Sequence, residues 1–532
     1  MSAPPTAGGD AAAPAFNLLD EPWIPVRLAS GQVTELGLLE LFRQASGIEA
    51  LAEPAPPSLV ALHRILLAIS HRALTCGQGR WSHKDRAHWY EHGLPADVFT
   101  GYLEQWRDRF WLFHPELPFM QVAALATAEE TRDKLKPWTQ VALDRASGNT
   151  PVVFDHGVDT QPPTVDAGLV LRHLLGFLQF TPGGLVKVFR GSDKAGPLSN
   201  TAAVLPLGGC LAQTLLLGLH PAPTDARHDL PAWERPAPTL AELRADARPS
   251  SGCCDRYSRL SRAVLLLREP GDARPLVRWI RFGAGLALLE DENAPDPMAS
   301  QRAGSNGMVR VTFSEGRATW RDLGALLPDG SGTQARQAAV LGWADTLLDK
   351  LGQGDAKVPV IVAGLCSDQA KLLRWRMERY RLPANALHSE QAAEQVRDQL
   401  KRCEELFYQV RNVATAMFAL TMPDAGSKDT RARARAVLDA GPFATAYFSV
   451  AERALPALLD AIAAGDFGAA HAQWSAVLLG AARGAWNSAR LTLGYSVAAL
   501  RAEASTRGRF EFLLKDLKPA PADQNRTEEP TT

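Results

Sequence analysis

The apolar residues that follow residue 383 recur at alternating spacings of four and three over more than twenty residues. They are Val396, Leu400, Cys403, Phe407, Val410, Ala414 and Met417. This spacing is typical of a long amphipathic helix that buries one face. Three further helical stretches follow, near residues 430–438, 443–464 and 467–505. The last part of the chain therefore predicts a four-helix bundle.

The residues before this helical region mix short strands, helices and long Gly/Pro-rich loops. The stretch Phe16–Phe42, for example, predicts two strands around a Ser30-Gly31 turn, followed by a helix. A chain of 532 residues is too long for one compact core. The sequence therefore predicts an α+β fold made of a large irregular mixed domain and a C-terminal four-helix bundle. The expected boundaries are a disordered tail over 1–15, the mixed domain over 16–383, the bundle over 384–517 and a second disordered tail over 518–532.

Composition excludes several classes of protein. The 57 Lys+Arg and 58 Asp+Glu give a net charge of -1, so the chain does not coat nucleic acid by bulk electrostatics. No apolar run approaches the ~20 residues that span a bilayer, and the small, Pro-rich start does not resemble a signal peptide. Six scattered cysteines without a CxxC spacing predict reduced thiols and no metal site. We therefore expect a cytoplasmic protein with no membrane partner.

One short segment departs from this charge balance. Between Lys371 and Arg381 there are five basic residues and one acid, a local net charge of +4. The segment follows the apolar stretch VPVIVAG, which is typical of a strand, and it is expected to form a helix. An anionic partner would suit this cluster. Alternatively, Ser367 or Asp368 caps the helix and the arginines form its solvated face.

Common catalytic signatures are absent from the sequence, including GxxxxGK[ST], HExxH and GxSxG. The remaining metal candidates are histidines. His88 and His92 have the i, i+4 spacing of one helix face, and His83 lies nearby. The His228-Asp229 doublet is of a kind found in metal-dependent phosphohydrolases. A hydrolase that uses one of these groups is the enzyme alternative, although surface histidines and chance doublets explain the same residues.

Three motifs resemble a known family. They are the NLLDEPWIPV string at Asn17–Val26, the PFMQ string at Pro118–Gln121, and the glycine and polar loop ahead of the basic run at Gly364–Arg381. In this order they resemble the large subunit of the type I-E Cascade complex, the RNA-guided CRISPR surveillance particle. The resemblance covers the chain from about Phe16 to Leu517.

The resemblance implies a non-catalytic subunit without a cofactor. Such a subunit recognises the protospacer-adjacent motif (PAM) of double-stranded DNA from the minor groove and starts R-loop formation, while guide RNA supplies sequence specificity. The implied partners are the other Cascade subunits, the CRISPR guide RNA, double-stranded target DNA and a helicase-nuclease that destroys the target in this antiviral defence. A purely structural adaptor between subunits is the alternative that involves no DNA contact.

The resemblance also implies DNA-binding residues. Gln369 matches the family's glutamine wedge, expected at a strand-to-helix junction, and Asp368 stands where relatives often have asparagine. Lys371, Arg374 and Arg376 are expected to contact phosphates beside the wedge. Cations there favour phosphate contacts, whereas the carboxylate of Asp368 does not.

Three other segments match further parts of the family's interface. Gly183 and Gly184 in FTPGGLVKVF match its glycine loop, although two glycines are also compatible with an ordinary turn. Arg302, in the loop DPMASQRAGSNG, matches the basic finger or is an ordinary loop charge. In the loop over residues 132–159, the guide RNA and subunit docking residues are Phe154, Asp155 and His156, unless Phe154 is simply buried.

Overall fold

The computed structural model describes residues 13–145, 157–184, 186–220, 228–271, 274–354, 356–368 and 371–518. The chain divides into two compact units, Met1–His388 and Ser389–Thr532. The described part of the first unit mixes helices with small sheets, and the described part of the second is helical. The predicted α+β fold class, with a helical region after the mixed one, is therefore confirmed.

The strands of the first unit are short except near its end. In chain order they are β1 Ala15–Asn17, β2 Ile24–Leu28, β3 Val33–Leu36, β4 Ile48–Leu51, β5 Trp111–Phe113, β6 Lys136–Pro137, β7 Val165–Asp166, β8 Ala203–Pro206, β9 Arg262–Arg268, β10 Leu276–Ala284, β11 Gln301–Gly304, β12 Gly307–Arg310, β13 Ala335–Arg336, β14 Lys357–Asp368 and β15 Lys371–Pro383. All the pairings between these strands are antiparallel.

These strands form several small sheets rather than one large one. The strand orders are β1-β5, β3-β2-β4, β6-β10-β7 with β9 added to β10, β12-β11-β13, and β15-β14-β8. The two strands predicted within Phe16–Phe42 are present as the pair β2 and β3, in which Ile24 lies opposite Leu36. Small antiparallel sheets need helices or loops to cover their apolar faces, which fits a mixed and irregular unit.

The helices of the first unit supply much of its core. They are α1 Leu38–Arg43, α2 Pro56–Gln78, α3 His83–His92, α4 Ala96–Gln105, α5 Ala167–Phe180, α6 Leu211–Gly218, α7 Leu240–Arg244, α8 Cys253–Tyr257, α9 Ala339–Lys350 and α10 Ala384–His388. Among the described residues, α2 is the one helix long and apolar enough to cross a membrane. It is almost entirely buried and packs against α4 and α5, so it is the central helix of this unit.

A buried ion pair crosses this core. The guanidinium of Arg64, on α2, donates to both carboxylate oxygens of Asp296 at 3.0 and 2.9 Å, and both side chains are fully buried. Arg64 also lies over the ring of Tyr257 at 4.4 Å. The pair therefore links α2 to the segment before β11. Removing either member would leave a buried charge without a partner, which is strongly destabilising.

The described part of the second unit contains five α-helices rather than the predicted four. They are α11 Glu390–Ala419, α12 Lys428–Ala440, α13 Phe443–Ala463, α14 Phe467–Leu493 and α15 Val497–Leu513. The prediction of a single helix over 467–505 is wrong, because Gly494 has a φ of 80° and ends α14. Ser496 then caps α15 by accepting a hydrogen bond from the backbone N–H of Ala499 at 3.1 Å. The region is a helical bundle with one more turn than the sequence suggested.

A buried histidine, His63, and a partly buried one, His220, should make the first unit sensitive to acid. Burial lowers the pKa of His63 and that of His220 to about 4, with the charge of Arg86 adding to the effect at His220. In the unfolded chain a histidine titrates near pH 6.5. The unfolded state therefore gains protons first as the pH falls. We expect the free energy of unfolding to decrease by about 1.4 kcal/mol per pH unit for each histidine between about pH 6.5 and pH 4.

Urea unfolding at several pH values tests this expectation. The variant His220→Gln should show a shallower loss of stability below pH 6.5 than the unmodified protein. His88→Gln, at an exposed position on α3, is the matched control. Equal slopes for the three proteins would contradict the assignment of acid sensitivity to the buried rings.

Candidate nucleic-acid interface

The basic segment forms a strand and not the predicted helix. β14 and β15 pair along almost their whole length, from Lys357 opposite Pro383 to Asp368 opposite Lys371, with an irregularity after Cys366. β8 pairs with the other side of β14, so β15 is the edge strand of this sheet. The long, well-hydrogen-bonded partner outweighs the helix propensity of the many Arg, Leu and Met side chains.

The predicted wedge lies at the connection of this hairpin. Gln369 itself is outside the described residues, as are the side chains of Asp368 and Lys371. The backbones of Asp368 and Lys371 are paired in the last rung of the ladder, so two residues join the strands. The expected strand-to-helix junction is therefore corrected to a strand-to-strand connection. Phe154, Asp155 and His156 also fall outside the described residues.

Arg374 and Arg376 lie on one face of β15, and groups of the protein itself engage both. Arg374 Nη2 lies 2.5 Å from Glu315 Oε1, in a pair whose side chains are 57% and 63% exposed. Arg376 Nη1 donates to the carbonyl oxygens of Ser314 and Arg317 at 2.9 and 2.7 Å. An exposed pair contributes about 1 kcal/mol or less, so Arg374 can exchange its partner for a phosphate. Arg376 instead holds the neighbouring loop.

Arg302 lies in a strand, so its predicted loop position is wrong. It sits in β11 opposite Val309, because the turn of this hairpin falls at residues 305–306. Its Nε lies 3.7 Å from Asp322 Oδ1, and about half of its side chain is exposed. Asp322 also receives two hydrogen bonds of 3.0 Å from Arg317. The carboxylate is thus shared by two arginines, which leaves Arg302 the more weakly held.

These contacts bring two of the predicted elements together. Asp322 joins Arg302 on β11 to Arg317, and the carbonyl of Arg317 accepts a hydrogen bond from Arg376 on β15. On the other side, Arg310 at the end of β12 donates to the carbonyl of Pro197 at 2.8 Å, just after the predicted glycine loop. A chain of contacts therefore links the hairpin β14–β15, the hairpin β11–β12 and the segment before β8.

A buried arginine holds the glycine loop, residues 182–196, in place. Arg262 and Asp193 are 1% and 0% exposed, and Nη2 lies 2.5 Å from Oδ2. Arg262 also donates to the carbonyls of Pro182 and Lys194, the latter at 2.7 Å. Asp193 Oδ1 in turn accepts the backbone N–H of Val186 at 3.2 Å. Burial lowers the pKa of Arg262 to about 10, an effect that the neighbouring Asp193 carboxylate only partly offsets.

The two glycines predicted to contact DNA, Gly183 and Gly184, are required for different structural reasons. A Cβ on Gly183 would lie 2.8 Å from the backbone nitrogen of Ala195, so a side chain there would displace the opposite arm of the loop. Gly184 has a φ of 84°, faces open space and is exposed. Of the two, Gly184 is therefore the one that offers bare backbone to an approaching ligand. Gly183 serves the closure of the loop.

The predicted metal candidates have other partners. His88 and His92 do share a face of α3, where their rings stack at 4.4 Å and His92 Nδ1 contacts the carbonyl of His88. The carboxylate of Asp229 accepts the backbone N–H groups of Cys254 and Asp255 at 3.0 and 2.9 Å, which caps α8. Within the described part of the chain, no cluster of three or more His, Cys, Asp or Glu side chains is close enough to bind a metal ion.

Comparison with known proteins decides the family. Residues 17–485 match the family model for CRISPR-associated protein Cse1. CasA/Cse1 of Thermus thermophilus is 35% identical over 518 residues, which cover 94% of this chain and 98% of that protein. The chain belongs to the Cse1 family. Cse1 is the large, non-catalytic subunit of type I-E Cascade, so the resemblance read from the motifs is confirmed.

Solved Cse1 structures share the fold of this chain. The structure of Thermus thermophilus CasA (Cse1) superposes with a TM-score of 0.80 at 33% identity, over 94% of this chain and 99% of that one. Thermobifida fusca Cse1 gives 0.74 at 23% identity, over 95% and 98%. A chain of a CRISPR RNA-guided surveillance complex gives 0.72 at 23% identity, over 94% and 100%.

Sequence reasoning missed two features of this candidate interface, one buried and one exposed. The first is the Arg262–Asp193 pair, whose members are 69 positions apart and carry no recognisable spacing. The second is the exposed pair Arg379 and Arg381 on β15. A period of two runs through this segment, because apolar or aromatic residues alternate with charged ones from Arg374 to Met377. That alternation was the available signal for a strand.

Loss of Arg262 should destabilise the glycine loop and the unit that carries it. Arg262→Met leaves the carboxylate of Asp193 buried without its cation, which typically costs about 3 to 5 kcal/mol. We expect a corresponding decrease in the free energy of unfolding in urea. Arg268→Met, an exposed position on the same strand β9, should change it by less than about 1 kcal/mol.

The double variant separates the charge from the packing. Arg262→Met with Asp193→Asn removes both charges, and we expect it to recover part of the lost stability. A double variant no more stable than Arg262→Met would show that packing of the guanidinium, rather than charge pairing, maintains the loop.

Proposed function

We propose that this Cse1 subunit reads the PAM of double-stranded DNA from the minor groove and starts R-loop formation. Gln369 is the wedge, and Lys371 and Arg374 contact phosphates beside it. Gly184 and Arg302 face the groove, where bare backbone and an arginine suit its narrow floor. Minor-groove readout separates A·T from G·C pairs and little else, so PAM choice is expected to be permissive.

One observation carries this proposal more than any other. The connection that contains Gln369 joins two strands paired over twelve residues, and the contacts among Arg376, Arg317, Asp322 and Arg302 brace the edge strand from one side. Unstacking a base step costs a few kcal/mol, so a wedge must be mounted on an element that does not yield. A braced hairpin meets this requirement.

The roles of two residues are revised in this proposal. Arg376 is a positioning residue, because its guanidinium is committed to the loop at Ser314 and Arg317. Gly183 is likewise required for the shape of the loop. Asp368, whose carboxylate would be repelled by phosphates, is expected to serve the backbone ladder.

The remaining parts of the function rest on family membership. We propose that the subunit works in the cytoplasm with the other Cascade subunits and the CRISPR guide RNA. Phe154, Asp155 and His156 are the proposed docking residues for the guide RNA or a neighbouring subunit. Because the Cse1 family is not catalytic, destruction of the target falls to a recruited helicase-nuclease.

Substitution of the wedge tests the proposal. In a complex assembled with guide RNA, Gln369→Ala should slow strand opening of PAM-containing duplex about tenfold or more, because the unstacked base step loses its support. The fluorescence of 2-aminopurine placed next to the PAM reports opening directly.

Two comparisons make this test specific. Gln353→Ala, at an exposed position in the same unit, should behave like the unmodified protein. DNA that is already unpaired beside the PAM should bind the Gln369→Ala complex normally. If opening is unchanged by Gln369→Ala, the subunit acts as a structural adaptor in the complex and not as the wedge.

A further inference from the structure

The second face of β15 carries a mixture of aromatic, apolar and basic side chains. The face of β15 that carries Arg374, Arg376 and Glu378 is called the braced face here. The alternating residues point to the opposite side of the sheet; they are Trp375, Met377, Arg379 and Arg381. Arg379 and Arg381 are exposed, Met377 is 38% exposed, and Trp375 is partly exposed. The strand begins directly after the connection that holds Gln369.

The two faces of β15 differ in how their cations are used. On the braced face, Arg374 pairs with Glu315, and Arg376 contacts Glu378 and the ring of Phe313. On the second face, by contrast, neither arginine has an ion-pair or hydrogen-bond partner within the described part of the chain. The unused positive charge of the hairpin is therefore concentrated on one side.

The neighbours of these arginines on β14 are apolar. Arg379 lies opposite Ile361, and Arg381 lies opposite Pro359. On the same face, the exposed Met377 lies opposite the buried Ala363. No carboxylate of β14 or β15 thus shares this face among the residues whose side chains are described, so the attraction for a phosphate is not offset locally.

We propose that this face, which we call the outer face of β15, binds the single DNA strand displaced when the duplex opens. Residues two apart on a strand are about 6.7 Å apart, so Arg379 and Arg381 can reach neighbouring phosphates of an extended backbone. The indole of Trp375 offers a surface on which a base can stack, and its N–H has no acceptor among the described residues. This inference rests on the proposed function, because it names a second ligand of the same hairpin.

The chemistry favours single-stranded over double-stranded DNA here. A flat edge strand with a stacking side chain and two cations can engage unpaired bases, whose faces a duplex keeps stacked. Capture of the displaced strand would slow its return to the duplex. The outer face would then act after the wedge and stabilise the open state.

Binding of two DNAs to the assembled complex tests this inference. Both contain the same PAM; one is fully paired, and the other carries a bubble that leaves the displaced strand single. Arg379→Gln with Arg381→Gln should weaken binding of the bubble DNA about tenfold and lower the slope of log K against log salt by about 1.4, since each phosphate contact to a single strand contributes about 0.7. Binding of the paired DNA at the PAM should change less.

A second variant examines stacking separately. Trp375→Leu should weaken binding of the bubble DNA, and the loss should disappear when the displaced strand carries abasic sites beside the PAM. A merely structural role of Trp375 would give the same loss with intact and abasic strands. That result would overturn its assignment as a stacking residue.

The matched control is Arg80→Gln with Lys84→Gln, which removes the same charge from exposed positions of the first unit outside the hairpin. If the outer-face variant and this control lose equal affinity for the bubble DNA, the inference is wrong. It is also wrong if the outer-face variant aggregates but binds normally, since edge charges then serve only to prevent strand pairing. Failure of the proposed function gives a different result. In that case Gln369→Ala leaves PAM-dependent strand opening unchanged, and binding of the bubble DNA by the outer-face variant is a separate measurement.

Discussion

The pairing of β14 with neighbours on both sides is the constraint on which the candidate interface depends. Because β14 is the central strand of its sheet, β15 is held along its full length and becomes an edge strand. The edge position divides its side chains into a braced face and an exposed face. It also gives the Gln369 connection a long rigid base. A helix at this place would have scattered the same cations around its circumference.

Buried and partly buried arginines organise the elements around this hairpin. Arg64 binds Asp296 within the core, and Arg262 binds Asp193 beneath the glycine loop. Nearer the surface, Asp322 connects two segments through Arg302 and Arg317. Each pair uses a positive charge to hold two segments of the fold together. The nearly neutral composition therefore does not report which cations remain exposed on the surface.

Local patterns predicted the helical end of the chain well and the hairpin poorly. The seam from Val396 to Met417 lies within the single helix α11, since a spacing of four and three suits only a helix. The split at Gly494 was missed because α14 and α15 both continue apolar faces. At residues 371–383, the alternation of apolar and charged residues predicts a strand, whereas the helix propensity of the side chains predicts a helix. Tertiary pairing with β14 then decided the conformation.

The sequence by itself determined the family, the α+β class and the helical end of the chain. Short motifs and local spacing carry this information, because they do not depend on distant parts of the chain. Only the tertiary structure decided that Arg376 is a brace, that Gly183 closes a loop and that Arg379 and Arg381 have no ion-pair partner among the described residues. These outcomes depend on which groups lie opposite each side chain in space. Contacts such as Arg262 with Asp193 join positions that no local pattern relates.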